Sequence, residues 1–463
     1  MCRHDMYVML ILKKASYLAF FALFLLVNIA ITQSVMAQGP TYREFQLDNG
    51  MKAVIFQDAK APVAVVHVWY QVGAVDEQEG KTGVAHMLEH MMFQGTRDVA
   101  PGQFSKMIAR LGGSDNASTS LDYTNYHSEI AVKHLDLVLK LEADRMRNLV
   151  LTEKEFISEN KVVREERRTR TDTSPRTRFR EQFSRLVHPG HPYGRPVIGW
   201  MKDIENHRVE DLQAWYRRFY APNNAIVVVA GDVDLDDAQA RIQHHFGALK
   251  ADPTVVARIV PAEVLPEKQK RLEREDKDVK VASWQAVFLA PSLTGTESDR
   301  DVYALEVLSG VLSTGLTSRL QQNIVIRDKL ALSAGAGYYG LARPKALGSF
   351  KIAATPRPEI ELKILEAALF NELARFTTEL VADQELQKIK NQLVADHIYG
   401  LDSIEQIAWS IGRLSVNDVR WQQEVIEYQS HIKAVTAEDL MRVAKKYLQP
   451  NRATVGILKP SSS

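Results

Sequence analysis

An α+β architecture in two homologous halves follows from three features of the sequence: Val-rich extended runs open each half, long runs with helical spacing follow them, and both halves close on one pattern. Tyr42 to Leu47, the turn Asp48-Asn49-Gly50, Met51 to Gln57 and Val63 to Val72 read as strands, rich in Val and aromatic residues. Helical spacing then runs through the stretches around Val84 to Phe93, Pro101 to Leu111, Leu135 to Asn148 and Glu153 to Thr171. Ile226 to Gly231 returns to a strand. In the second half, strands are expected near Val279 to Leu289 and Gly348 to Ala354, and helices near Asp299 to Leu312, Glu359 to Thr378 and Ala382 to Tyr399.

The repeated ending is the argument for duplication. Val209-Glu210-Asp211-Leu212 leads through Phe219-Tyr220-Ala221-Pro222-Asn223-Asn224 into the strand at Ile226, and Ala437-Glu438-Asp439-Leu440 leads through Tyr447-Leu448-Gln449-Pro450-Asn451-Arg452 into Ala453 to Leu458. A repeat of roughly two hundred residues is too long for a solenoid unit and suits two duplicated domains. Residues 251–270, with Pro253, Pro261 and Pro266, read as the linker between halves at 41–250 and 271–460. Such halves commonly enclose a cleft.

Of the 463 residues, 58 are basic and 57 acidic, and no long single-sign run occurs, so nothing points to nucleic acid or an anionic membrane surface. Residues 1–37 read as a signal peptide: Lys13 and Lys14 precede an apolar stretch from Tyr17 to Ile31, and Val35-Met36-Ala37 suits a signal peptidase. Export is expected, to the periplasm in a bacterium. Retention of the leader as a membrane anchor is the competing reading, against which the stretch is short for a bilayer span of roughly 20 residues. The single cysteine, Cys2, falls in the leader, so any metal in the mature chain must be bound by His, Asp or Glu.

His86-Met87-Leu88-Glu89-His90 supplies such ligands. Residues four apart share a helix face, so both imidazoles reach one ion, and Glu89 projects to the same side as a candidate base. This is the inverted form of the His-Glu-x-x-His zinc arrangement. A catalytic zinc needs a third protein ligand and an open position for water. On the helical run from Glu153, Glu159, Val162, Val163 and Glu166 fall on one face, whereas Glu165 points away. Glu166 is the expected third ligand to one zinc per chain, and Glu159 a supporting catalytic carboxylate. Glu-rich helices are more often solvated faces, so spacing alone does not decide this assignment.

The motifs together closely resemble the pitrilysin family, which includes insulin-degrading enzyme and the mitochondrial processing peptidase. They are Tyr70-Gln71-Val72-Gly73-Ala74, His86 to His90, Gly113-Ser114-Asp115-Asn116-Ala117-Ser118-Thr119, Glu159 to Arg167, and His191-Pro192-Tyr193-Gly194. The resemblance implies a zinc peptidase that cuts peptides or unfolded segments, with each half a mainly antiparallel sheet carrying helices on one side and the halves facing across a substrate chamber. It places Glu166 and Glu159 in the family's distal-ligand positions, and Asn116 and Ala117 against the substrate backbone on an exposed strand. His127, His188 and His191 have no partner at ligand spacing and are expected to be structural.

The second half departs from this pattern. Aligned with the first, it carries Glu306, Ser309 and Gly310 in place of His86, Glu89 and His90, so it cannot bind zinc in the same way. Family members supply from this half an Arg and, seven residues later, a Tyr for the oxyanion. Arg327 matches, but Ala334 stands at the Tyr position, with Tyr338 and Tyr339 four and five residues later. A second, similar subunit is therefore expected to complete the site, either a non-zinc homologue or a second copy. The competing function is a noncatalytic assembly subunit of the same fold. A zinc hydrolase of nonpeptide amides has only generic chemistry behind it.

Overall fold

Branched and aromatic side chains pack well on a pleated surface, and the Val-rich runs of the first half form its strands. These are β1 (Thr41–Gln46), β2 (Lys52–Gln57), β3 (Val63–Tyr70), β4 (Ser114–Thr119), β5 (Thr124–Ala131) and β6 (Ala225–Gly231), joined in one sheet in the order β1-β2-β6-β3-β5-β4. The second half supplies β7 (Lys270–Asp276), β8 (Ser283–Ala290), β9 (Ala331–Tyr339), β10 (Gly348–Pro356) and β11 (Thr454–Pro460), ordered β7-β11-β8-β10-β9. In the computed structural model the described residues are 40–256, 258–294, 299–340 and 347–461, with Tyr42–Ser463 forming one compact unit. The expected leader, 1–37, with Cys2 inside it, lies outside the described residues. No helix among the described residues is long and apolar enough to cross a membrane.

The duplication is visible strand by strand. β3 pairs antiparallel with β5 and β6, as β8 does with β10 and β11, and β5 pairs with β4 as β10 does with β9. Each sheet also has one parallel pair, β2 with β6 and β7 with β11. The repeated C-terminal pattern explains it, because the last strand of each half returns to the interior of its sheet, β6 between β2 and β3 and β11 between β7 and β8.

Helices of the first half are α1 (Val84–Met91), α2 (Gln103–Arg110), α3 (Leu135–Asn148), α4 (Glu153–Arg167), α5 (Pro175–Val187), α6 (Met201–Glu205), α7 (Val209–Phe219) and α8 (Leu235–Phe246). The second half has α9 (Arg300–Ser313), α10 (Leu362–Thr378), α11 (Asp383–Gly400), α12 (Ile404–Ser415), α13 (Gln422–Val425), α14 (Tyr428–Ala434) and α15 (Ala437–Tyr447). The helical run from Glu153 keeps its α register only to Arg167, and 168–172 widen into a π turn.

β3 and β6 are apolar on both faces apart from His67, a pattern that requires cover on both. On one face Val66, Val68, Tyr70, Val227 and Val229 pack with Met87, Leu88 and Met91 of α1 and Leu139 and Met146 of α3. On the other, Val65, Trp69, Ile226 and Val228 join a core with Trp284, Phe288 and Ile411 of the second half. This second cover comes from an exchange of helices: α12 lies against β3 and β6, while α5 of the first half lies against β7 and β11. Two glycines permit the close approaches, since a Cβ on Gly412 would lie 1.9 Å from Trp69 Nε1 and one on Gly456 would lie 2.6 Å from Phe183.

Residues 251–269 contain no helix or strand among those described, as their prolines predict. They are nonetheless strapped down: Arg258 forms a two-pronged ion pair with Asp76, and Glu263 bonds to His188.

Candidate metal centre

α1 begins at Gly83, whose φ of 88° lies in the left-handed region and whose missing Cβ would otherwise meet Ile198 O at 2.4 Å. The first N–H groups of a helix have no partner within it. Here the buried Glu77 accepts from Gly83 N at 2.9 Å and from Ala85 N at 3.0 Å, anchoring the turn that presents His86. Burial pushes the Glu77 carboxyl up to about 8, against the pull of those two hydrogen bonds and of Arg195.

α1 packs between α4 and α7. α4 thereby brings Glu166 Oε2 to 3.7 Å from His86 Nε2 and 3.4 Å from His90 Nε2. His90 Nδ1 lies 3.4 Å from Glu159 Oε2, and Glu159 Oε1 accepts from Gln94 Nε2 at 2.9 Å. Glu166 Oε1 accepts from Arg170 Nη1 at 2.5 Å, while Glu165 turns outward to Arg168. The face reading needs one correction. Glu159, Val163 and Glu166 point inward but Val162 is exposed, because a step of three and a step of four fall on opposite sides of the residue they start from.

These donors fit zinc. Two ligands each about 2.1 Å from an ion at the tetrahedral angle lie about 3.4 Å apart, close to the spacings here. A ligating histidine normally holds its other ring nitrogen on a carboxylate, as Glu159 does for His90. His86 Nδ1 is buried without a hydrogen-bond partner among the described residues. Without a cation the cluster polarises itself. Burial lowers the His90 pKa, but the Glu159 and Glu166 carboxylates outweigh burial and raise it to about 9. Burial first, and His90 second, drive His86 down to about 4.

Glu89 leaves the same helix toward β4, where Thr119 Oγ1 donates to its Oε2 at 2.5 Å. Burial raises the Glu89 carboxyl above its ordinary range, opposed by this hydrogen bond. Thr119, Glu77 and Gln94 are contributors that sequence reasoning misses. Thr119 stands inside a motif already singled out, but nothing in its spacing points to Glu89.

Asn116 and Ala117 lie on β4, an edge strand that among the described residues pairs with β5 alone. Asn116 Oδ1 accepts from Ala117 N at 2.9 Å. Arg327 is not brought to the histidine pair: it is exposed and bonds to Asp328 and Asn323. Ala334 sits on β9, and so do Tyr338 and Tyr339, which pair in the strand with Phe350 and Ser349 of β10. Tyr338 donates to Pro291 O, and Tyr339 is exposed.

In the second half, Glu306 on α9 is half-buried with its carboxyl enclosed, where it accepts from Tyr428 Oη at 2.6 Å, and desolvation of the carboxyl pushes it up to about 7. A Cβ at Gly310 would meet Ile389 at 2.7 Å, so packing closes the place that His90 occupies in the first half. His188 bonds to Glu263 and His191 to Pro261 O, both structural as expected. The fold sets His127 beside His67 and Glu405, although no sequence spacing links the three.

The family described as Insulinase (Peptidase family M16) matches residues 52–199, and that described as Peptidase M16 inactive domain matches residues 208–393. The zinc protease PqqE of Helicobacter pylori is 32% identical over 442 residues, covering 94% of this chain and 97% of that protein. A probable mitochondrial-processing peptidase subunit beta of Arabidopsis thaliana is 24% identical over 434 residues, covering 91% of this chain and 79% of that one. The crystal structure of a protease from Helicobacter pylori superposes with a TM-score of 0.82 at 32% identity, covering 91% of this chain and all of that one.

Proposed function

Because the chain belongs to peptidase family M16, we propose that it is a zinc-dependent endopeptidase whose metal is held by His86, His90 and Glu166. The observation that carries the reading is the convergence of those three donors beside Glu89. A zinc ion there would act as a Lewis acid on the scissile carbonyl and make its water acidic near neutral pH.

The remaining steps belong to the side chains. Glu89 takes the proton of the attacking water and later gives it to the leaving amine. Thr119 fixes the Glu89 carboxylate, Glu159 holds the His90 ring through Nδ1, and Arg170 balances the Glu166 oxygen that faces away from the histidines. An extended peptide adds along the free edge of β4, with the Asn116 side chain and the Ala117 backbone as its contacts. Arg327 acts from a neighbouring subunit, homologous or identical, since within this chain it pairs with Asp328. The working unit comprises the halves 41–250 and 271–460 about the linker 251–270, exported by the leader 1–37, which is then removed.

Hydrolysis of an internally quenched peptide by the purified chain tests the reading. Cleavage that a chelator abolishes and zinc restores, and that Glu89→Gln removes while zinc stays bound, supports it. A zinc-loaded chain that stays inert alone and with every copurifying partner belongs instead to the noncatalytic assembly class.

A further inference from the structure

On the opposite face of the first sheet from α1, His67 of β3 and His127 of β5 stand directly across from one another, their rings stacked at 5.1 Å. Next along the same row is Asn116 of β4, paired with His127. Over the two imidazoles lies α12 of the second half, which brings Glu405. Its Oε2 is 3.1 Å from His67 Nε2 and its Oε1 4.0 Å from His127 Nε2. Trp69 and Trp409 wall the group.

Asn125 fixes both rings from behind. Its Oδ1 lies 2.9 Å from His127 Nδ1 and its Nδ2 3.3 Å from His67 Nδ1. For Oδ1 to accept, His127 Nδ1 must carry the proton, which leaves His127 Nε2 a bare lone pair. That lone pair faces a carboxylate oxygen across 4.0 Å, too far for a hydrogen bond and with an acceptor on each side. Neither atom has a hydrogen bond to another described residue. The gap is wider than the roughly 3.4 Å between two tetrahedral zinc ligands, and a small turn of the part-exposed Glu405 side chain closes it on a cation, with the far ring nitrogen of His127 anchored as a ligating histidine requires.

We propose that His127 and Glu405, with His67, form a second cation site for a zinc-class divalent metal, which pins α12 of the second half to the sheet of the first. His127 and Glu405 are the principal ligands. His67 joins as its other tautomer, one proton leaving Nε2 for solvent and one taken up from solvent at Nδ1, and its contact with Asn125, the longer of the two, then gives way. Such a staple lies at the helix exchange that joins the halves, one residue along the sheet from Asn116. It does not depend on the chain being a peptidase.

The test uses the full chain carrying His86→Ala and His90→Ala, so that the first centre cannot bind. Zinc per chain is measured by equilibrium dialysis, together with the unfolding temperature. One zinc per chain and a zinc-dependent rise in Tm are expected. Adding Glu405→Gln, which keeps the shape and hydrogen bonding of the side chain, should weaken binding about tenfold or more. Adding Asn125→Asp, whose carboxylate accepts from both Nδ1–H groups and so frees both Nε2 lone pairs, should strengthen it. If the double-alanine chain binds no zinc at micromolar concentrations, the gap holds only water and the proposal fails. Binding that neither Glu405→Gln nor Asn125→Asp alters overturns it equally, because the zinc then sits elsewhere.

Discussion

Thr119 Oγ1 donates a 2.5 Å hydrogen bond to Glu89 Oε2, linking an edge strand of the first sheet to the helix that carries both candidate histidine ligands. One side chain thus couples the edge where a peptide would add to the base that would act on it.

That coupling predicts the effect of Thr119→Val. Burial already raises the Glu89 carboxyl, and Thr119 holds it down by favouring the ionised form. Without the hydroxyl the pKa climbs further, so the acid limb of the kcat profile moves to higher pH and turnover on that limb falls about tenfold. Zinc content stays the same, and Thr119→Ser restores the profile. Steady-state kinetics between pH 5 and 9 check this.

Glu159→Gln should separate support from catalysis. The amide preserves the shape of the side chain beside His90 Nδ1 and Gln94 but removes the charge that orients the ring and raises its basicity. Zinc affinity is expected to fall about 10- to 100-fold by chelator competition, with turnover largely recovered at saturating zinc.

Glu306 makes the apo protein less stable at alkaline pH. Its folded pKa of about 7 lies above the ordinary 4.5, so the folded state holds a proton that the unfolded chain has released. The associated stability is full below about 4.5 and is lost as pH rises through about 7, a swing of roughly 3 kcal/mol. Glu306→Gln keeps the acceptor for Tyr428 and removes this dependence. Urea unfolding of the two proteins at pH 5 and pH 8 should show the difference between them growing in favour of the variant at pH 8.

What the sequence revealed followed from periodicity and chemistry that are local to one element. The spacing of His86, Glu89 and His90 on one turn of helix and the shared ending of the two halves can be read along the chain, whereas Glu159 and Glu166 are singled out from a Glu-rich helix only by the family resemblance. The strands β5, β7 and β9 cannot, since β7 is mostly charged, β9 is rich in Gly and Ala, and β5 mixes polar and apolar residues, so their identity comes from strand pairing. The exchange of α5 and α12 escapes for a related reason. An apolar helix face declares that it must be covered but not by which half, and only the glycines at 412 and 456 mark the close approaches. His67, His127 and Glu405 come together across 338 residues, beyond any spacing rule.

The central claim is that one cation is held jointly by α1 and α4, and diffraction at the zinc absorption edge from crystals of the purified chain tests it most directly. The account predicts an anomalous peak about 2.1 Å from His86 Nε2, His90 Nε2 and a Glu166 carboxylate oxygen, with Glu89 beside it and not bound to it. Zinc-loaded crystals with no peak at that point, or with Glu166 turned away from the two imidazoles, would contradict it.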